Sequence, residues 1–160
     1  MDRDIVQYSA SEVLQFAIRI EENGESFYRK LAEKTTEPKA KQIFSFLAQQ
    51  EKQHGKKFKE MLKEVENYQP EEMYPDEYFT YLRSFADNII FTSVTDQELS
   101  EKPGRAEAID FAIRRELDSI MYYLETKPLL PAAQRKTVDQ IIEEERRHFL
   151  QLSNLRKEIS

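Results

Sequence analysis

The sequence predicts an all-α fold, a bundle of four long helices, on three observations. Turn-forming residues are scarce, with Gly 3 and Pro 6 in 160 residues, too few for a fold of many short strands. Hydrophobic residues at 39% and charged ones at 34% interleave at steps of three and four, the period of an amphipathic helix. Breaks between these runs are few, and proline stands at them. A chain of 160 residues can bury one sizeable core, so residues 1–160 read as a single domain.

Ser9, followed three residues later by Glu12, forms a capping-box pattern ahead of a run that reaches about Thr35 and is stopped by Pro38. A second run starts at Pro38, a residue suited to a first helical turn, and continues to about Asn67, with Gly55 a weak point inside it. Tyr68, Gln69 and Pro70 break it. A third begins near Gly104 and reaches about Thr126; after Lys127 to Pro131 a fourth extends almost to Ser160. The first and last connections are a few residues long, so each closes an antiparallel hairpin. Residues 68 to about 103 are too many for a turn, and Pro75 to Phe91 within them has the apolar spacing of a short crossover helix. Two hairpins joined by one long crossover is the connectivity of ferritin-like bundles.

Composition excludes several function classes. With 30 acidic and 24 basic residues the net charge is -6, and the basic residues are interspersed, so nucleic acid is not an expected partner. Cysteine is absent, which removes disulfides, thiolate chemistry and cysteine-held iron; any metal must use nitrogen and oxygen ligands. The polar stretch Met1 to Ser11 lacks the apolar core of a signal peptide, and no apolar run approaches the roughly 18 residues of a membrane span. The expectation is a soluble cytoplasmic protein without membrane contact.

The inward stripes are interrupted in a repeated way. Leu14, Ala17, Glu21, Gly24, Tyr28 and Leu31 form the first, apolar or small except at Glu21. In the second run Phe44, Leu47, Glu51, His54, Phe58, Met61 and Val65 place a glutamate and a histidine one turn apart where hydrophobes belong. The third reads Ile109, Ala112, Glu116, Ser119, Tyr123; the fourth reads Val138, Ile141, Glu145, His148, Leu152, Leu155. Ala17, Glu21 and Tyr28 recur 95 residues on as Ala112, Glu116 and Tyr123, while Glu51 and His54 recur 94 residues on as Glu145 and His148. Gly24 and Ser119 stand where the other two helices carry histidine, and small residues there would leave room for metal or substrate. Register separates the rivals: Glu22 falls in line with Gln15, Arg19, Ser26 and Arg29 and should face water, as should Glu143 and Glu144. Phe16, Ile20 and Phe27 give the first helix a second apolar stripe for a neighbouring helix, the crossover or, as a lesser expectation, a dimer partner.

Four buried carboxylates without partners would each cost several kcal/mol or be forced to take up protons. Two divalent cations balance four carboxylates, and two neutral imidazoles complete a shell suited to iron or manganese. A single Glu-x-x-His on a charged helix means little. Here His is 2 and 30 of 160 positions are acidic, so chance places an acid at that spacing before both in roughly 4% of such sequences, which favours a site over a solvated face. One glutamate from each of two helices plus a Glu-x-x-His pair from each of the others is the known layout of di-iron and di-manganese carboxylate bundles.

The segments AIRIEENGESFY (Ala17 to Tyr28), LAQQEKQHGKKF (Leu47 to Phe58), AIRRELDSIMYY (Ala112 to Tyr123) and IIEEERRHFLQL (Ile141 to Leu152) together resemble the rubrerythrin branch of the ferritin-like superfamily. The resemblance covers nearly all of the chain. It implies that Glu21, Glu51, Glu116 and Glu145 are carboxylate ligands, two of them bridging, that His54 and His148 are terminal ligands, and that Tyr28 and Tyr123 lie beside them. It implies two iron ions, with manganese an alternative and zinc a substitute, and an oxidoreductase that reacts with oxygen or hydrogen peroxide using an electron donor the sequence does not name. A homodimer is a family-based expectation. Two departures limit the borrowing. Rubrerythrins usually add a cysteine-ligated rubredoxin domain, and cysteine is absent here. Rubrerythrins of this kind often carry a further glutamate one turn after the third helix's ligand, where this chain has Ser119. The resemblance therefore carries the metal site further than the peroxidase reaction, and iron handling or storage, or a metal-free helical interaction module, are the other readings.

Overall fold

The structure, a computed structural model, describes residues 9–65, 75–91 and 105–159. Ser9 stands in extended backbone and its Oγ accepts the Glu12 amide at 3.2 Å, so the capping pattern read in the sequence starts α1 (Ala10–Lys34). The helix ends where Thr35 turns extended and its hydroxyl donates to the Leu31 carbonyl at 2.6 Å. Glu37 then caps α2 (Pro38–Lys63), accepting the amides of Lys39 and Ala40 at 3.0 and 2.7 Å while Pro38 takes the first turn.

α2 stops at Lys63, short of the expected Asn67, because the Glu64 and Val65 amides bond back to the carbonyls of Met61 and Leu62, tightening the last turn. Asn67 itself, the break at 68–70 and the crossover's 92–103 stretch lie outside the described residues. The crossover helix is α3 (Asp76–Phe91); it is followed by α4 (Arg105–Thr126), a 3-10 turn (Lys127–Leu129) and α5 (Ala132–Ile159). No strand occurs among the described residues.

Contacts along the helices set their directions. Val13, Ile20 and Phe27 on α1 meet Tyr122, Arg115 and Phe111 on α4, so those two run antiparallel. Lys39 pairs with Glu158 at one end of α2 and α5, and the Gln134 amide donates to the Met61 carbonyl at the other, so these also run antiparallel. The tightest packing is within the two sequence-adjacent hairpins, α1 with α2 and α4 with α5. α3 lies against α1 and α4: Arg83 forks onto Glu12 at 3.0 and 3.2 Å, Tyr78 donates to the Glu125 carbonyl, and Phe85 stacks on Tyr122 at 6.2 Å. The second apolar stripe of α1 is thereby covered from within the chain, Phe27 by Phe111 and Phe16 by the cluster that includes Phe79, Leu82 and Ala86 of α3.

The core divides into two apolar clusters. One joins Leu14, Ala17 and Ile20 to Phe58, Met61, Tyr122, Tyr123, Ile141 and the inner face of α3. The other joins Phe27, Tyr28 and Leu31 to Phe44, Leu47, Ile109, Ala112, Leu152 and Leu155. Each large side chain fully buried in them contributes about 1.5–3 kcal/mol, so the two clusters clamp the bundle on either side of its midsection. Between them, in sequence on every long helix, stand the buried polar residues: Glu21, Glu51, His54, Glu116, Glu145 and His148. No helix of the described residues is long and apolar enough to cross a membrane.

Candidate metal centre

α1 supplies Glu21, α2 supplies Glu51 and His54, α4 supplies Glu116, and α5 supplies Glu145 and His148; none is more than 5% exposed. All six of the residues singled out by stripe register are brought together. Their donor atoms form two overlapping quartets, Glu21, Glu51, His54 and Glu145 in one and Glu51, Glu116, Glu145 and His148 in the other, with the atoms of each quartet within 4.8 Å of one another. Glu51 and Glu145 belong to both. Glu145 spans the pocket: its Oε1 lies 3.0 Å from His54 Nδ1 and its Oε2 lies 3.3 Å from His148 Nδ1. The two imidazoles face each other at 5.9 Å with planes 21° apart.

The repeat seen in the sequence becomes a reciprocal pairing. Tyr123 on α4 donates to Glu21 Oε1 on α1 at 2.5 Å, and Tyr28 on α1 donates to Glu116 Oε1 on α4 at 2.6 Å. Each tyrosine thus occupies one oxygen of its glutamate. The other oxygens, Glu21 Oε2 and Glu116 Oε2, are buried without a hydrogen-bond partner and lie 3.7 and 3.8 Å from the Nδ1 atoms of His54 and His148. They face further carboxylates, so only a proton or a cation can reconcile the oxygens that meet there.

The protonation equilibria express the same constraint. Burial pushes the Glu51 carboxyl well above the usual carboxylate range, helped by the charges of Glu145 and Glu21. Burial likewise pushes Glu116 up, helped by Glu145. Burial alone would raise Glu145 too, but hydrogen bonding to Glu116, His148 and His54 holds it well below that range. Burial disfavours charge on the histidines, yet Glu145 and Glu21 draw His54 up to about 11, and Glu116 and Glu145 draw His148 up to about 10. Burial and the adjacent Glu116 and Glu21 charges push the phenols of Tyr28 and Tyr123 well above their ordinary value, so both remain donors. Protons therefore stand where this cluster requires positive charge, and divalent cations are the other species able to supply it with this oxygen and nitrogen donor set.

Three features are sharper than the sequence reading. The space beside Gly24 is not left open: a Cβ there would sit 2.9 Å from Glu51 Oε2, so the glycine makes room for the shared carboxylate itself. Ser119 is buried, and its hydroxyl donates to the Arg115 carbonyl of its own helix. Glu144, placed on the solvent face by register, instead reaches His54 Nε2 at 2.5 Å while its side chain remains 29% exposed. The available signal was the preceding position of a ligand-like glutamate, on the flank of α5 that meets α2. Glu22, in contrast, is exposed as expected and pairs with Lys59.

Comparisons with known proteins fit this geometry. The sequence model of the rubrerythrin family matches residues 12–156. A crystal structure from Thermotoga maritima, of a protein provisionally described as a ferritin-like diiron-carboxylate protein, shares 32% identity with a TM-score of 0.71, covering 95% of this chain and 97% of that one. No curated protein sequence matches the chain. The family match over nearly the whole bundle, around a buried glutamate and histidine cluster shaped for two cations, leads to one conclusion: the chain belongs to the rubrerythrin family and has the ferritin-like all-α fold.

Proposed function

We propose that the chain is a di-iron carboxylate oxidoreductase in which Glu21, Glu51, His54 and Glu145 hold one metal ion and Glu51, Glu116, Glu145 and His148 hold the other. The observation that carries this reading is the pair of overlapping donor quartets, each with a buried carboxylate oxygen that no protein donor satisfies. Two ferrous ions bound there would supply two electrons, which with two protons reduce one hydrogen peroxide to two waters. Glu51 and Glu145 are the shared carboxylates, with one Glu145 oxygen turned to each histidine. Tyr28 and Tyr123 orient Glu116 and Glu21 by donating their phenol hydrogens to Oε1, so each glutamate offers its free Oε2 inward. The two apolar clusters exclude bulk water, which strengthens every charge interaction inside. Manganese suits the same donors. Iron handling by ferrous oxidation is the second reading, in which ferrous iron is its own electron source.

Anaerobic loading with ferrous iron is expected to give about two ions per chain, and addition of peroxide is expected to consume about one peroxide per two irons. Failure to bind would remove the site; binding without oxidation would remove only the redox reaction. Repeated turnover with fresh ferrous iron and no other donor would favour iron handling.

Metal uptake must displace protons, because Glu51, Glu116, His54 and His148 are all raised in the metal-free pocket. The histidines stabilise the metal-free fold fully below their ordinary 6.5, and this is lost as pH rises through about 10 to 11. The raised carboxyls act in the same direction, since their ionisation above 4.5 opposes folding. Manganous ion affinity should therefore rise with pH, on the order of tenfold per unit for each proton displaced, while the metal-free protein melts at lower temperature. Calorimetry in two buffers of different ionisation enthalpy reads the proton release directly; equal heats in both would contradict the assignment.

Gly24→Ala separates fold from site. Alanine improves helix propensity by about 1 kcal/mol, which offsets the 2.9 Å contact its Cβ would make with Glu51 Oε2, so the metal-free melting temperature should change little. Metal affinity should fall by about 10-fold or more as the shared carboxylate is displaced. Unchanged affinity would show that Glu51 does not need this position.

A further inference from the structure

The two halves of the pocket are alike in their six donors but not in what holds the histidines. His54 is anchored on both sides, Nδ1 facing Glu145 at 3.0 Å and Nε2 facing Glu144 at 2.5 Å. Glu144 is steadied in turn by Lys57, whose Nζ lies 4.0 Å from its second oxygen. In the internal repeat that relates Glu51 to Glu145, the counterpart of Glu144 is Gln50. His148 has hydrogen-bonding partners only on its Nδ1 side among the described residues; its ring also faces His54 and meets the edge of Phe46 at 6.2 Å, a residue that is itself 45% exposed.

We propose that Glu144 is a positioning residue that makes the two metal positions unequal: the position held by Glu21 and His54 binds first and tightly, and the position held by Glu116 and His148 fills last and exchanges first. The inference rests on the di-metal reading of this pocket. An Nε2–H donated to a carboxylate fixes the tautomer that leaves the Nδ1 lone pair free for the metal, locks the ring plane and increases the ring's basicity toward a cation. His148 lacks that second anchor among the described residues, so nothing on its Nε2 side fixes the tautomer. The shared carboxylates add to the difference, because an ion in the first position withdraws their charge from the second. That contribution acts without Glu144, so substitution of Glu144 distinguishes the two causes.

The test is an anaerobic titration with manganous ion, free ion being counted by electron paramagnetic resonance, with the metal-free melting temperature as a fold control. Wild-type protein should show a tight and a weak step. Glu144→Gln should weaken the tight step by about 10–100-fold and draw the two steps together, while Gln50→Glu should tighten the weak step. His148→Ala should remove the weak step alone. A tight step unmoved by Glu144→Gln, or lost in His148→Ala and kept in His54→Ala, overturns the inference while leaving the di-metal site standing. Wild-type protein that binds no manganous ion overturns the di-metal reading and this inference with it.

Discussion

Four carboxylates buried at the middle of a helical bundle are the constraint from which the rest of the structure follows. Left ionised and unpaired, each would destabilise the fold by several kcal/mol, which is a large share of the stability of a domain this size. Burial raises the proton affinity of Glu51 and Glu116, and neighbouring carboxylates raise that of the two imidazoles, so proton uptake offsets this cost in the metal-free pocket. The same donors form two overlapping quartets, each of which could hold a metal ion. In the di-metal reading, protons and metals compete for one set of atoms.

The architecture serves that pocket from both ends. Two apolar clusters hold the four long helices in register above and below the polar midsection, so the donors are fixed by rigid elements rather than loops. Gly24 admits the close approach of Glu51, whereas a Cβ at Gly55 would meet the Glu21 stem at an ordinary 3.7 Å, so that glycine is not required for space. The reciprocal tyrosines each cross from one hairpin to the other, so the bonds that orient the glutamates also tie the two halves of the chain together. α3 closes the groove between α1 and α4 through Phe79, Leu82, Ala86 and Phe85.

Much of this was legible in the sequence because helix register is a local property. Stripe position distinguished Glu21 from Glu22, and Pro38, Ser9 and the short connections announced the hairpins. What register cannot show is the neighbour. Glu144 lies off the inward stripe of its own helix, yet the flank it occupies abuts α2, so a residue assigned to water instead meets His54. The role of Gly24 was hidden for the same reason: the atom it accommodates belongs to another helix. The identity of the two shared glutamates also needed coordinates, since all four occupy equivalent stripe positions. The end of α2 was misjudged because a tightened final turn leaves little trace in apolar spacing.

Family membership and fold stand on the rubrerythrin match and the Thermotoga structure; the redox role is a proposal that rests on the chemistry of the pocket. What reaches the pocket and what supplies electrons to it decide the reaction. The central claim is spatial: two cations, with Glu51 and Glu145 shared between them. Anomalous diffraction at the iron edge from crystals loaded anaerobically tests it most directly. The account predicts two peaks about 3.5–4 Å apart inside the bundle, one beside Glu21 and His54 and one beside Glu116 and His148; a pocket without iron, or a single ion that Glu51 and Glu145 do not share, would contradict it.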